Sequence, residues 1–483
     1  MIRRVARHCA ACALLVASAA ASAAEGDLDM RFGRGGVVFL GDAGEPLAVS
    51  RSVVDRDGRI LGCRSGYSSY DPAVVAGAVY RLDADGSIDT RFAGGDGAAF
   101  PTSEGNRACG LALQHDGRIV VFSGRVADDG AAVPGLETEL VRFEPDGTRD
   151  FEFGDAGIAH VDFVAGETDD ATAIAIAPDD SIVVGVPLHP NRFGVARFDR
   201  DGALDASFGD AGRAMARFPV ATLSSQSIAS VLVDGHGRTV VVGSIMTEPV
   251  GRELFAFARF ARDGSPDATF GDGGQTTIDF GDVSSTPGAG LLQGDRIVAV
   301  GSAKTVWPPN EGSGNADVAV ARLRDDGTLD RAFGDDGLAI VAIDRTPDAY
   351  DLAYDAIGTV DGGLAIVGAT ESDGGDGRGF LMRLDANGAP LPGFADGGAR
   401  IFDDVINGEN AATTFTGIAA AGSGYIVTGH SGATPTPVTQ GLVARVEGAA
   451  LGRHSRHRIK MPRVPVRIGA APRGAAPRAG AGG

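Results

Sequence analysis

The chain has 483 residues, 73 of them glycine, with aromatics at only 6% and a single tryptophan, Trp307. That length admits two or three average domains or one large all-β domain, and the composition suits many short strands joined by tight turns. Residues 25–450 carry all 63 acids against 32 basic residues, a balance of −31 that argues against nucleic acid as the main partner.

Residues 1–24 read as an export signal. "MIRRVARHCA" holds three arginines and no acid, "ACALLVASAA" is an apolar run too short to span a bilayer, and "ASAAEG" offers small residues for cleavage near Ala23 or Ala24. No later run of eighteen apolar residues follows, so no transmembrane span is expected, and the protein is expected in the periplasm or outside the cell. Cys9 and Cys12 leave with the signal, which keeps only Cys63 and Cys109 in the mature chain. In an oxidising compartment these two either bridge or remain two buried thiols in neighbouring strands.

Beyond the signal, one unit recurs. A phenylalanine stands at Phe32, Phe92, Phe153, Phe208, Phe270, Phe333 and Phe394, at spacings of 60, 61, 55, 62, 63 and 61 residues. A second element keeps step with it: "DGRILG" at 57, "DGRIVV" at 116, "DDSIVVG" at 179, "GRTVVVG" at 237, "DRIVAVG" at 295, "GGLAIVG" at 362 and "GYIVTG" at 424. A third runs from "AVYRLDADG" through "LVRFEPDG", "GVARFDRDG", "AFARFARDG" and "VAVARLRDDG" to "FLMRLDANG", and its seventh copy, "GLVARVEG", loses the closing turn.

Each unit therefore offers three strand-length apolar segments and a weaker fourth, such as "GVVFLG" or "LAIVAI", bounded by Asp-Gly or Asn-Gly turns. Four antiparallel strands repeated seven times predict an all-β, seven-bladed β-propeller over residues 25–450. The phenylalanine phrase appears first as "GDLDMRFGRGG", ahead of any complete unit, while the last unit stops without it. Pairing of residues 37–41 with 441–446 is predicted to close the ring and remove the exposed sheet edges.

The phrases "[AV]-x-R-[LF]-x-x-DG", "DG-[small]-L-D-x-x-FG-x-x-G" and "DG-x-I-V-V-x-G" resemble the bacterial delta-60 repeat family over roughly residues 26–446. The resemblance implies a seven-bladed β-propeller in an exported or surface protein, and it brings no catalytic residues with it. "FAGGDG" at 92, "FADGG" at 394 and "DGHGR" at 234 depart from the pattern and put regular turns in doubt at those three places.

The acids of the repeats could be drawn as metal ligands: Asp83, Asp85 and Asp89 in "DADGSID", or Asp199, Asp201 and Asp205 in "DRDGALD". Calcium, however, needs six to eight oxygens and a distant glutamate that does not follow here, whereas Asp-Gly turns account for the same residues. No metal or other cofactor is therefore expected. "GHSGA" at 429–433 lacks the second glycine of a serine nucleophile elbow, and prolines at 435 and 437 forbid the helix that should follow, which leaves His430 and Ser431 as loop residues. The remaining histidines stand singly and match no zinc spacing.

If a site exists it should lie where the innermost strands begin. Counting back ten residues from each "DG-x-I-V" turn gives Leu47, Asn106, Asp170, Gln226, Ser284, Asp351 and Thr413, six of them polar. They are candidates for a ligand-binding ring, although any wet strand entrance would also be polar. The stretches 64–77, 125–138 and 302–316, the last with Trp307, would rim the same face. Residues 451–483 carry eight basic residues and no acid, are rich in proline and glycine, and are expected to be disordered. The reading is a monomeric, non-catalytic binding or scaffold propeller whose partner is a protein, peptide or small molecule. Its alternatives are a hydrolase-like enzyme with a polar or metal-assisted site in the funnel, and an envelope-associated protein acting through the basic tail.

Overall fold

The computed structural model describes residues 24–448 apart from 42–46, 67–76, 96, 100–109, 127–135, 164–170, 190, 220–225, 248–251, 282–283, 305–314, 344–348, 372–376, 396, 403–410 and 434–438. Asn106, Cys109, Asp170, Trp307, the signal and the basic tail thus lie outside the described residues. Among the described residues the architecture is all-β apart from one 3-10 turn, Phe92–Gly95. Repeats are numbered here by their "DG-x-I-V" turn, the first at residue 57.

In the first repeat Leu47–Val54, Ile60–Gly66, Ala78–Leu82 and Ala98–Ala99 form a four-stranded antiparallel sheet in chain order. The second, third and fourth repeats each form a further sheet of this kind. The fifth and sixth are joined into one eight-stranded sheet by a single parallel pair, Ala316 with Tyr350. In the last sheet the strands Ala411–Ala421, Gly424–Ala433 and Thr439–Val446 take their outer neighbour from the other end of the chain. Val37–Leu40 pairs antiparallel with Thr439–Val446, Val37 opposite Ala444 and Leu40 opposite Gly441.

This pairing rebuilds, from two chain ends, a turn that is covalent elsewhere. Leu28 bridges Val446 as Ile88 bridges Leu82. The Gly26 amide donates to the Glu447 carbonyl at 2.9 Å, just as Gly86 donates to Asp83 at 2.9 Å. Glu25-Gly26 therefore stands where Asp85-Gly86 stands in the first repeat.

The sheets bury side chains on both faces, so their strands read as apolar runs rather than strict alternations. Gly424–Ala433 and Arg378–Leu384 are buried along most of their length. The apolar core is divided into layers between successive sheets. One layer packs Phe193, Val195 and Phe208 of the third repeat against Ile228, Val241 and Ile245 of the fourth. Another packs Val49, Ile60 and Leu82 of the first repeat against Ile426 and Val443 of the last. The innermost strands touch in succession, Leu47–Val54 against Gly110–Leu113 and so on to Ala411–Ala421, which again touches Leu47–Val54.

Each of the three doubtful places keeps the turn's positive-φ residue. Ala93 and Ala395 adopt φ of 54° and 41°, the left-handed conformation that Gly33, Gly154, Gly209, Gly271 and Gly334 hold at the same position. An inserted residue lengthens the loop after Phe92, so the outer strand of the first repeat starts late, at Ala98. In "DGHGR" the second glycine does the work: Gly237, at φ 78°, donates to the Asp234 carbonyl as Gly58 does to Asp55.

Candidate functional site

The repeated phrase is a latch between neighbouring sheets. Phe32, Phe92, Phe153, Phe208, Phe270, Phe333 and Phe394 are each at most 1% exposed. In five repeats the arginine of "x-R-[LF]" lies over the ring that follows it: Arg81 over Phe92 at 4.4 Å, Arg142 over Phe153 at 4.8 Å, Arg197 over Phe208 at 6.0 Å, Arg259 over Phe270 at 4.7 Å and Arg322 over Phe333 at 4.5 Å. The same guanidinium pairs with the aspartate of "L-D", as Arg81 does with Asp89 at 2.9 Å and Arg142 with Asp150 at 2.7 Å. It also donates to a carbonyl in the next repeat, Arg81 to Pro145 and Arg142 to Arg200.

The next repeat answers with its Asp-Gly turn. After Phe92, Phe153, Phe208 and Phe270 the next amide donates to the aspartate carbonyl of that turn, Ala93 to Asp146, Gly154 to Asp201, Gly209 to Asp263 and Gly271 to Asp326, and Gly334 donates to Asn387 in the same way, all at 2.7–2.8 Å. The glycine beside that aspartate is pressed against the ring. A Cβ at Gly147 would lie 2.6 Å from Phe92 Cε2, and one at Gly202 2.7 Å from Phe153 Cε2. Glycine is required there both for its positive φ and for the space.

The suspected metal loops are occupied by the protein's own donors. Asp85 accepts from the Ser87 amide and hydroxyl, Asp199 from the Asp201 and Ala203 amides, and Asp205 from the Ser207 amide and hydroxyl. Burial pushes the Asp89 carboxyl up, but hydrogen bonds from Arg91 and the charge of Arg81 outweigh it and hold the group at about 2. Among the described residues no group of three His, Cys, Asp or Glu side chains is arranged to hold a metal ion. On the face of the Asp-Gly turns, clefts open between neighbouring repeats. The one beside Asp57 and Asp116 measures about 210 Å³, and its counterpart beside His236 and Asp295 about 400 Å³. The larger cleft adjoins the turn at Gln293–Arg296, which, like Ala421–Gly424 in the last repeat, is one residue shorter than in the other repeats.

His430 and Ser431 are strand residues, not loop residues: both lie in Gly424–Ala433. Ser431 is fully buried and shares a hydrogen bond of 3.1 Å with Thr413. Adjacent on one strand, the two side chains point to opposite faces, which removes any nucleophile–base pairing between them. Burial holds the His430 imidazole below its usual value.

Of the ring read from the sequence, Asn106 and Asp170 lie outside the described residues and nothing is described of the Leu47 side chain. Gln226, Asp351 and Thr413 are 8%, 0% and 1% exposed, and their bonds tie the innermost strand to the repeat before it. The Gln226 Oε1 accepts from the Asn191 amide at 3.3 Å, Asp351 Oδ2 accepts from Ile343 at 2.6 Å, and the Thr413 amide donates to Gly377 at 2.9 Å. Ser284 is half-buried and accepts from the Glu253 amide at 3.1 Å. Because of the shorter turn, Ser285 rather than Ser284 is the equivalent of Gln226, and it is 1% exposed. These positions sit between sheets rather than on an open funnel wall. Side chains of an innermost strand alternate between the two neighbouring sheets, so the residues next along, Ser227, Thr286, Leu352 and Thr414, are the more exposed ones.

Among the described residues, the Arg51 side chain reaches from the first innermost strand to those of three other repeats. Five innermost strands carry a β-bulge at the same place, with register shifts between Val49 and Ser52, Ile228 and Ser230, Pro287 and Ala289, Ala353 and Asp355, and Phe415 and Gly417. From the first of these, Arg51 donates to the carbonyls of Ala229 at 3.2 Å, Gly288 at 2.6 Å and Tyr354 at 3.4 Å, and to the Ser230 hydroxyl at 3.4 Å. Its Nε lies 3.2 Å from Asp355 Oδ1. One side chain thus bonds to the fourth, fifth and sixth repeats, which only a position near the common centre of the innermost strands permits. Asp355 accepts from the Ile418 amide at 2.9 Å. Burial raises its carboxyl from the usual range, with Arg51 opposing. Nothing in the spacing of the repeats marked Arg51, since it is basic only in the first copy.

Cys63 is fully buried and disulfide-bonded. A family model described as a domain of unknown function, DUF5122 beta-propeller, matches residues 56–92, 177–208, 237–270 and 293–333. No curated protein matches the sequence. Among solved structures, the chain is similar to a polysaccharide lyase of family PL25, an ulvan lyase, at 11% identity and TM-score 0.50, covering 84% of this chain and 96% of that one. It is also similar to the β-propeller domain of the trilobed protease from Pyrococcus furiosus, at 10% identity and TM-score 0.42, covering 84% of this chain and 96% of that one. At such identities a likeness to a solved structure speaks for the fold alone. With the four-stranded sheets and the matched repeats, the chain is a β-propeller repeat protein.

Proposed function

We propose that the chain is an exported, closed, seven-bladed propeller of the delta-60 kind that binds a ligand through its loop-bearing face and catalyses no reaction. Seven sequence repeats, a closed succession of touching innermost strands and the pairing of residues 37–40 with 441–444 support the ring. The observation that carries the functional reading is how the repeated polar groups are used. The aspartates of the turns, the arginines over the phenylalanines and the described polar residues at the strand entrances all bond within the ring. The segments that join the strand ends opposite the Asp-Gly turns share none of the repeated phrases and differ in length from repeat to repeat. Variable connections on a rigid scaffold are where binding resides. A basic extension at 451–483 and an arginine-rich leader suit a protein that works in the periplasm or outside the cell.

The test is to incubate the purified mature protein with a panel of peptides and of acidic and neutral polysaccharides. Native mass spectrometry then follows retention, and product analysis follows turnover. A retained ligand on a monomer, without new products or stoichiometric metal, is the expected result. Any time-dependent cleavage of a panel member would overturn the non-catalytic reading.

A further inference from the structure

We infer that the propeller axis carries an oxygen-lined cation site assembled from three repeats, and that the Arg51 guanidinium is its built-in occupant. The lining is the carbonyl oxygens of Ala229, Gly288 and Tyr354, the Ser230 hydroxyl and the Asp355 carboxylate. Four neutral oxygens and one carboxylate converging on one point repel each other unless a cation sits among them. The bulges are what aim these groups inward, because each extra residue turns its carbonyl out of the sheet ladder.

The site is built rather than incidental. In the pairing register, the position of Arg51 in the other repeats is held by Gly110, Ala173, Ser230, Ala289, Asp355 and Gly417. One position is basic, one acidic and one a hydroxyl, and these three meet; the rest are small. The small residues make the room. A Cβ at Gly417 would lie 2.7 Å from Arg51 Cα, and one at Gly288 would lie 2.3 Å from the Ala353 carbonyl oxygen. The Arg51 side chain is 42% exposed while its partner Asp355 is only 10% exposed, so the pair lies between solvent and a shielded carboxylate. A planar cation with five donors in a fixed fork suits this set of acceptors better than an ammonium would. The site therefore selects guanidinium-class cations, and with the side chain removed it should accept one from solution.

The experiment compares wild type, Arg51→Ala and the double variant Arg51→Ala/Asp355→Asn in thermal melts, with about 10 mM methylguanidinium chloride as probe and sodium chloride at equal ionic strength as control. A ligand that binds only the folded state raises Tm with the logarithm of one plus its concentration over Kd, so the probe should lift Arg51→Ala by about 2 °C while leaving wild type unchanged. The double variant, lacking the carboxylate, should not respond. If Arg51→Ala does not accumulate folded, its refolding yield with and without the probe reads the same rescue. No lift and no gain in yield, or an equal response from wild type or the double variant, would overturn the inference.

Discussion

Gly147 and Gly58 occupy Asp-Gly turns of nearly identical backbone shape, φ 87° and 79°, yet they differ in what lies over them. A Cβ at Gly58 meets nothing closer than the Ala84 Cβ at 3.6 Å, an ordinary contact. A Cβ at Gly147 would stand 2.6 and 2.7 Å from Phe92 Cε2 and Cδ2, and 2.8 Å from the Ala93 amide. Phe92 cannot retreat easily, since Arg81 lies 4.4 Å from its ring centroid and Ala93 is bonded to Asp146. Gly58→Ala should therefore cost only the left-handed backbone penalty, about 1–2 kcal/mol. Gly147→Ala should add an overpacking term of about 1–3 kcal/mol, for a total of about 2–5 kcal/mol. Thermal melts of the two variants read the difference, at less than the roughly 2–4 °C per kcal/mol of a 150–250-residue domain. Phe92→Leu combined with Gly147→Ala should recover part of the loss, because the two sites touch. Equal Tm shifts for Gly58→Ala and Gly147→Ala would refute the latch.

Three further outcomes are expected. Deleting residues 25–34 removes the composite turn with buried Leu28 and Phe32, side chains whose loss typically costs about 2–5 kcal/mol each, so Tm should fall sharply; an unchanged melt would count against closure by the chain ends. Asp89 has a folded-state pKa of about 2 against an ordinary 3.8, so it contributes stability that is present above pH 3.8 and is lost as pH falls towards 2. Melts of Asp89→Asn and wild type should accordingly differ at pH 6 and converge near pH 2, and a constant gap would contradict the assignment. Peptide mapping without reductant should recover Cys63 joined to Cys109, and reduction should lower Tm, the chain-entropy estimate for that loop being about 4 kcal/mol. Recovery of free Cys109 would refute the pairing.

The strands and turns were legible because their signals are local. An Asp-Gly turn closes with bonds two or three residues away, as Gly86 to Asp83 and Ser87 to Asp85 show, and the seven-fold recurrence made each copy corroborate the others. The split of the phenylalanine phrase between the chain ends was equally readable, and the register of Val37–Leu40 on Gly441–Ala444 follows it. The buried phenylalanines were visible as anchors, but their arginine partners were visible only as a motif letter with no role. Gln226, Asp351 and Thr413 of the polar ring are buried between sheets for a geometrical reason. Counting along a strand locates a height on the sheet, whereas the direction of Gln226 or Asp351 depends on the bulge between it and the turn, and on a turn in the fifth repeat that is one residue short.

By itself, then, the sequence determined the period, the strand content and the turn chemistry of this protein, because those depend on neighbours within a few residues. Only the tertiary structure decided that Gly26 completes a turn begun at Glu447, that Phe92 presses on Gly147, and that Arg51 reaches Ala229, Gly288 and Asp355. Those contacts join residues from tens to hundreds of positions apart, and no local pattern encodes a distance that exists only once the chain has packed its repeats against one another.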